Sequence, residues 1–152
     1  MLLLNRTIIV KGISLLFIFL FTYTALSKIL SFAVFQIQLQ LNPLLSAYAS
    51  FLSWFIILTE IIITILLFFR QTNLLGLFGA LLLMLAFTTY ISILFIGKYD
   101  LPCTCGGLIK NLSWTNHLIL NSSLTILASC AIWLSVSGKN VIAVNRTSRK
   151  PV

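Results

Sequence analysis

Four stretches of about twenty or more apolar residues dominate the chain. They run from about Ile8 to Leu30, Leu44 to Phe69, Leu74 to Ile96 and Trp114 to Val136. A helix needs roughly 20 such residues to cross a bilayer. In lipid the backbone must satisfy its own polar groups, which leaves helices or closed barrels as the spanning structures. The pattern predicts an all-α integral membrane protein. It is a four-transmembrane-helix bundle over residues 1–137, followed by a basic cytoplasmic tail over residues 138–152. Hydrophobic residues make up 60% of the chain and charged residues only 8%. A soluble domain is nearer 45–50% apolar and about 25% charged. A soluble enzyme, a disordered tail and a nucleic-acid-binding domain are therefore excluded as the whole protein. The length leaves no room for a separate soluble domain beside the bundle.

The first span does not read as a cleavable signal peptide. It is too long, and no small-x-small site follows it. The net charge is +8, but the cations are scattered between apolar runs and form no basic face. They are better read as topology signals. With four spans, Arg6, Lys11, Arg70, Lys139, Arg146, Arg149 and Lys150 share one side, and Lys28, Lys98 and Lys110 the other. The positive-inside rule puts both termini and the Arg70–Asn73 turn in the cytoplasm. In a bacterium the loops near residues 31–43 and 97–113 then face the periplasm, where disulfides persist.

Arg70-Gln71-Thr72-Asn73 is short enough to make the second and third spans antiparallel neighbours. In the first outer loop, Phe35, Ile37, Leu39 and Leu41 alternate with Gln36, Gln38, Gln40 and Asn42. Alternation is a strand signal. A lone strand at a membrane would leave its backbone unpaired. An amphipathic segment on the outer interface, helical in its first half, is the better expectation, with Pro43 either ending it or starting the next helix. The tail from Gly138 reads as polar and mobile.

The second outer loop carries the most distinctive chemistry. Pro102-Cys103-Thr104-Cys105-Gly106-Gly107 places two thiols in an outward-facing segment. A thiolate is the nucleophile of disulfide exchange, so such a pair must be accessible and able to ionise. A Cys-x-Cys disulfide closes a very small ring, and strain makes a disulfide more oxidising. Gly106 and Gly107 relax the backbone beside it, and Pro102 fixes the chain before it. Two other readings stay open. The pair could be a static staple, or part of a soft-metal site. The metal reading lacks two further ligands, because His117 is the only histidine and Cys130 lies far along the last span. Asp100 adds to the local field of the loop.

The fourth span opens with Ser113-Trp114-Thr115-Asn116-His117. Ser113 suits an N-cap, and Trp114 suits the outer interface. Trp114, His117 and Asn121 follow at i, i+3 and i+7, one helix face. His117 could favour a thiolate or shuttle a proton. Asn121 could hydrogen-bond a bound ring, with Trp114 beside it. Equally, His117 could be an ordinary interfacial residue and Asn121 interhelical glue. Glu60 is the one acidic residue inside a span. At that depth it must be protonated or hydrogen-bonded within the bundle. It lies about ten residues, roughly 15 Å, from the inner end of its span. Lys28 sits at the opposite edge, so hydroxyls of Thr22, Tyr23, Thr88, Thr89 or Tyr90 are the expected partners. Cys130 reads as a small, inert core residue. The many phenylalanines read as lipid-facing or packing residues.

Taken in order, these residues resemble a known family. The first span ends Tyr23-Thr-Ala-Leu-Ser27-Lys28, and Phe35 and Asn42-Pro43 follow. Next come Glu60, the Pro102-Cys-Thr-Cys-Gly-Gly107 loop, and Ser113-Trp-Thr-Asn-His117-Leu-Ile-Leu-Asn121. Over about residues 8–137 the chain is similar to the MauE/DoxX redox-associated membrane proteins. The resemblance implies a four-helix bundle loosely like vitamin K epoxide reductase-type bundles, and a part in periplasmic thiol–disulfide chemistry. MauE itself is associated with maturation of methylamine dehydrogenase, whose small subunit is disulfide-rich. DoxX-type relatives are linked to quinone reduction. This chain has Cys-x-Cys where the reductase-type bundles have Cys-x-x-Cys.

The functional expectation is an inner-membrane protein that exchanges thiols and disulfides through Cys103 and Cys105, with His117 assisting. Its counterpart would be a quinone near Trp114 and Asn121, or a thioredoxin-like or disulfide-containing periplasmic client. The alternative is a non-catalytic subunit that anchors an envelope complex, its cysteines a structural staple. A small transporter or metal-delivery protein is the third reading. It would need an oligomer with Glu60 facing a wet cavity.

Overall fold

The computed structural model describes residues 2–41, 45–96 and 114–147. Five α-helices follow in order: α1 (Leu2–Leu30), α2 (Phe32–Leu41), α3 (Ala49–Phe68), α4 (Asn73–Ile96) and α5 (Trp114–Thr147). A 3₁₀ turn over Ser46–Tyr48 leads into α3. Four of the helices, α1, α3, α4 and α5, are long and apolar enough to cross a membrane. No strand occurs among the described residues. The chain is an all-α, four-span membrane bundle.

The bundle packs along narrow seams. On α1 the buried residues are Ser14, Phe17, Phe21, Ala25 and Lys28. On α3 they are Ala49, Ser53, Ile57, Glu60, Ile63 and Leu67. On α4 they are Leu77, Ala80, Met84 and Ile91, with Phe87 half-buried between them. On α5 they are His117, Leu124, Ala128 and Ala131, with half-buried Asn121 in the same row. Steps of three and four residues keep one stripe of each helix facing inward. The opposite faces expose Phe19, Phe51, Phe55, Ile62, Leu82 and Trp133, as expected for surfaces bathed in lipid. Between helices in lipid, close packing replaces the release of water as the cohesive force.

Small residues set the closest approach. A Cβ added at Gly76 would lie 2.8 Å from the Leu67 backbone nitrogen, and one at Gly79 would lie 3.1 Å from Ile63 Cγ1. Both glycines let α4 lie directly against α3. The turn between them satisfies carbonyls at the end of α3. Thr72 Oγ1 donates to Leu66 O at 2.9 Å. Asn73 Nδ2 donates to Leu67 O at 2.8 Å and to Ser14 Oγ on α1 at 3.0 Å. These bonds fix Ser14, Leu67 and Asn73 at one level, the end opposite α2.

Three local readings need correction. The segment after α1 is helical through Leu41, not only in its first half. Its buried residues, Phe35 and Leu39, are spaced i, i+4. The two-residue alternation therefore coexists with a helical stripe that packs on α3. Cys130 is exposed, not buried. In a helix apolar on every side, hydropathy cannot separate the core face from the lipid face. Finally, α5 continues past Val136 to Thr147, through the first part of the segment read as a polar tail.

Candidate functional site

One part of the site is a buried ion pair. Lys28 Nζ donates to Glu60 Oε1 at 2.6 Å, with side-chain exposures of 3% and 1%. Residue counting places the two at different depths and argues against the pair, so the contact corrects the expectation of hydroxyl partners. Counting from the shared level of Ser14 and Leu67 at 1.5 Å per residue, Lys28 stands about 21 Å up and Glu60 about 10 Å up. The remaining gap of about 10 Å along the helix axes is closed by the direction of the side chains. Each Cα–Cβ bond in a helix tilts toward that helix's own N-terminus. α1 and α3 are antiparallel, so Lys28 leans down and Glu60 leans up. Two long side chains then span the interval.

α2 closes this arrangement from above. The Lys28 ammonium lies 5.8 Å from the Phe35 ring centre on α2 and 5.9 Å from that of Phe87 on α4. The negative faces of aromatic rings attract a cation at such distances. The pair is thus held by charge, by a hydrogen bond and by two rings. A buried pair of this kind is costly to break from one side only. Of the hydroxyls expected as partners, Thr88 is engaged within its own helix. Thr88 Oγ1 donates to Met84 O at 2.7 Å. Thr24, which was not among the expected partners, stands beside the Glu60 carboxylate and helps to stabilise its charge, with its hydroxyl 3.2 Å from Phe21 O.

The other part of the site is His117. It lies in the first turn of α5 and is only 4% exposed. His117 and Glu60 line one cavity of about 60 Å³ between all four spanning helices. Thr24, Tyr90 and Asn121 add polar groups to its lining. Leu20, Phe21, Met84, Phe87 and Ile91 supply much of the apolar wall. Glu60 Oε2 and His117 Nε2 are both buried and have no protein hydrogen-bond partner. Leaving such a group unsatisfied costs about 1–3 kcal/mol. Two on one cavity mark a place where a small polar guest would be stabilising.

The helical face read from sequence is present for two of its three members. His117 and Asn121 both reach the cavity. Trp114 begins α5, but its side chain lies outside the described residues. So do Ser113, Asp100, Cys103, Cys105 and the glycines that follow the cysteines. Among the described residues no group of three or more His, Cys, Asp or Glu side chains could hold a metal ion. Sequence reasoning missed Lys28, Phe87 and Met84 as members of the site. A signal for Lys28 was available: it extends the 14-17-21-25 stripe of α1 by three residues.

The family model described as methylamine utilisation protein MauE matches residues 6–134. That match spans α1 to α4 and most of α5, and includes every residue of the cavity. No match was found among curated proteins or among solved structures.

Proposed function

Taking as premise that the chain belongs to the methylamine utilisation protein MauE family, we propose that this membrane protein exchanges thiols and disulfides through Cys103 and Cys105. In the oxidised state, a client thiolate attacks one sulfur of the pair and forms a mixed disulfide. The client's second thiolate then releases the mixed disulfide. The client leaves oxidised, and the pair is left as a dithiol carrying two electrons and two protons. A thioredoxin-like protein in its disulfide form takes the electrons back and is reduced in turn.

One observation carries this reading: a buried histidine with an unsatisfied ring nitrogen occupies the first turn after the cysteine-bearing connection. An imidazole there is suited to accept a thiol proton and to favour the thiolate. Asn121, half-buried on the cavity wall, and Trp114 would receive a quinone if the acceptor were one. Small-molecule pockets usually enclose about 300–1,000 Å³, well above the 60 Å³ of this cavity. The seven-to-three division of Lys and Arg supports an inner-membrane placement with both termini cytoplasmic and the cysteines periplasmic.

The test is thiol trapping in intact cells with a mass tag, on a Cys130→Ser background. A mixed dithiol and disulfide population that shifts with the redox state of the envelope supports exchange. A pair that stays oxidised, and whose double replacement by Ser leaves function intact, overturns it. The cysteines would then be a staple, and the protein an anchoring subunit.

A further inference from the structure

We propose that the cavity between Glu60 and His117 is a hydrated site, in which bound water joins the two side chains. The inference goes beyond the thiol chemistry and stands whether or not the cysteines cycle.

Three observations point to it. First, the only buried side-chain atoms without a hydrogen-bond partner among the described residues are Glu60 Oε2 and His117 Nε2, and both residues line the same cavity. Second, the size selects the guest. About 60 Å³ holds a few waters at roughly 10–15 Å³ each, and a buried water needs two to four polar partners. The carboxylate, the imidazole and the Asn121 amide supply them. Third, Lys28 occupies the other carboxylate oxygen, Oε1, at 2.6 Å. It neutralises the carboxylate, which therefore meets the guest through Oε2 alone.

The titratable groups facing the site are Lys28 from α1, Glu60 from α3, Tyr90 from α4 and His117 from α5. Lys28 and Glu60 form the ion pair, which leaves Glu60 Oε2 and His117 Nε2 as the two groups open to bound water.

The chain makes the test unusually direct, because it has one histidine and one glutamate. Protein carrying ¹³C-carboxyl Glu and ¹⁵N-His, reconstituted in lipid, gives one signal for each half of the site by solid-state NMR. Magnetisation transferred from water protons should reach Glu60 and His117 severalfold faster than the lipid-facing ring of Trp133. Water transfer no faster than at Trp133 would show a dry cavity and overturn the proposal.

Discussion

Lys28 and Glu60 meet at 2.6 Å inside the bundle, although they stand about 10 Å apart in depth along antiparallel helices. Each side chain leans toward the N-terminus of its own helix, so the two lean toward one another. Removing one partner should leave the other charge buried and alone. Lys28→Met or Glu60→Met is expected to destabilise the bundle by about 3–5 kcal/mol, while the double replacement recovers much of that loss. Unfolding in a mixed detergent–denaturant titration measures all three. A double variant as unstable as the single ones would show that the pair is not acting as a unit.

Gly76 is a packing position, not a hinge. An added methyl would come within 2.8 Å of the Leu67 backbone nitrogen, whereas one at Gly12 meets nothing within 4 Å. Gly76→Ala should cost about 1–3 kcal/mol from overpacking against α3. Gly12→Ala should be neutral or stabilise by up to about 1 kcal/mol through helix propensity. Thermal unfolding of the two variants side by side tests the contrast.

Asn73 ties three elements together through Leu67 O and Ser14 Oγ. Asn73→Ala should lose about 1–3 kcal/mol, because the part-buried groups it serves lose their donor. Ser14→Ala should cost less, since the bond to Leu67 O survives. Unfolding midpoints in detergent order the two variants.

The exposed turn residue Gln71 reports orientation. A single cysteine at Gln71, on a chain with all native cysteines replaced by Ser, should react with a membrane-impermeant maleimide only after the inner membrane is opened. Reaction in intact spheroplasts would reverse the topology and place the cysteine loop in the cytoplasm.

Much of this architecture is legible in the sequence. Run length and hydropathy give the four spans, the Arg70–Asn73 turn gives the α3–α4 pairing, and i, i+4 spacing puts His117 and Asn121 on one face. The Lys28–Glu60 contact is not legible from residue counting, because counting measures backbone depth and ignores the reach and tilt of two long side chains. Cys130 was misplaced for a different reason. Burial in water is written as polar against apolar, but a lipid-bathed helix is apolar on both faces, so its lipid side carries no distinct mark. The α2 helix shows a third effect. Its alternating glutamines imitate a strand, while the residues that pack, Phe35 and Leu39, keep helical spacing.

The proposed chemistry is tested most directly by trapping its covalent intermediate. Cys103→Ser and Cys105→Ser forms, each with Cys130→Ser, would be reconstituted in nanodiscs and challenged with a thioredoxin-like protein carrying a disulfide. One single-cysteine form should accumulate a mixed disulfide resolved by dithiothreitol, while the form retaining both cysteines turns the partner over without accumulating it. If neither single-cysteine form captures the partner and the intact pair leaves it unchanged, Cys103 and Cys105 do not exchange, and the account of the protein as a redox partner is wrong.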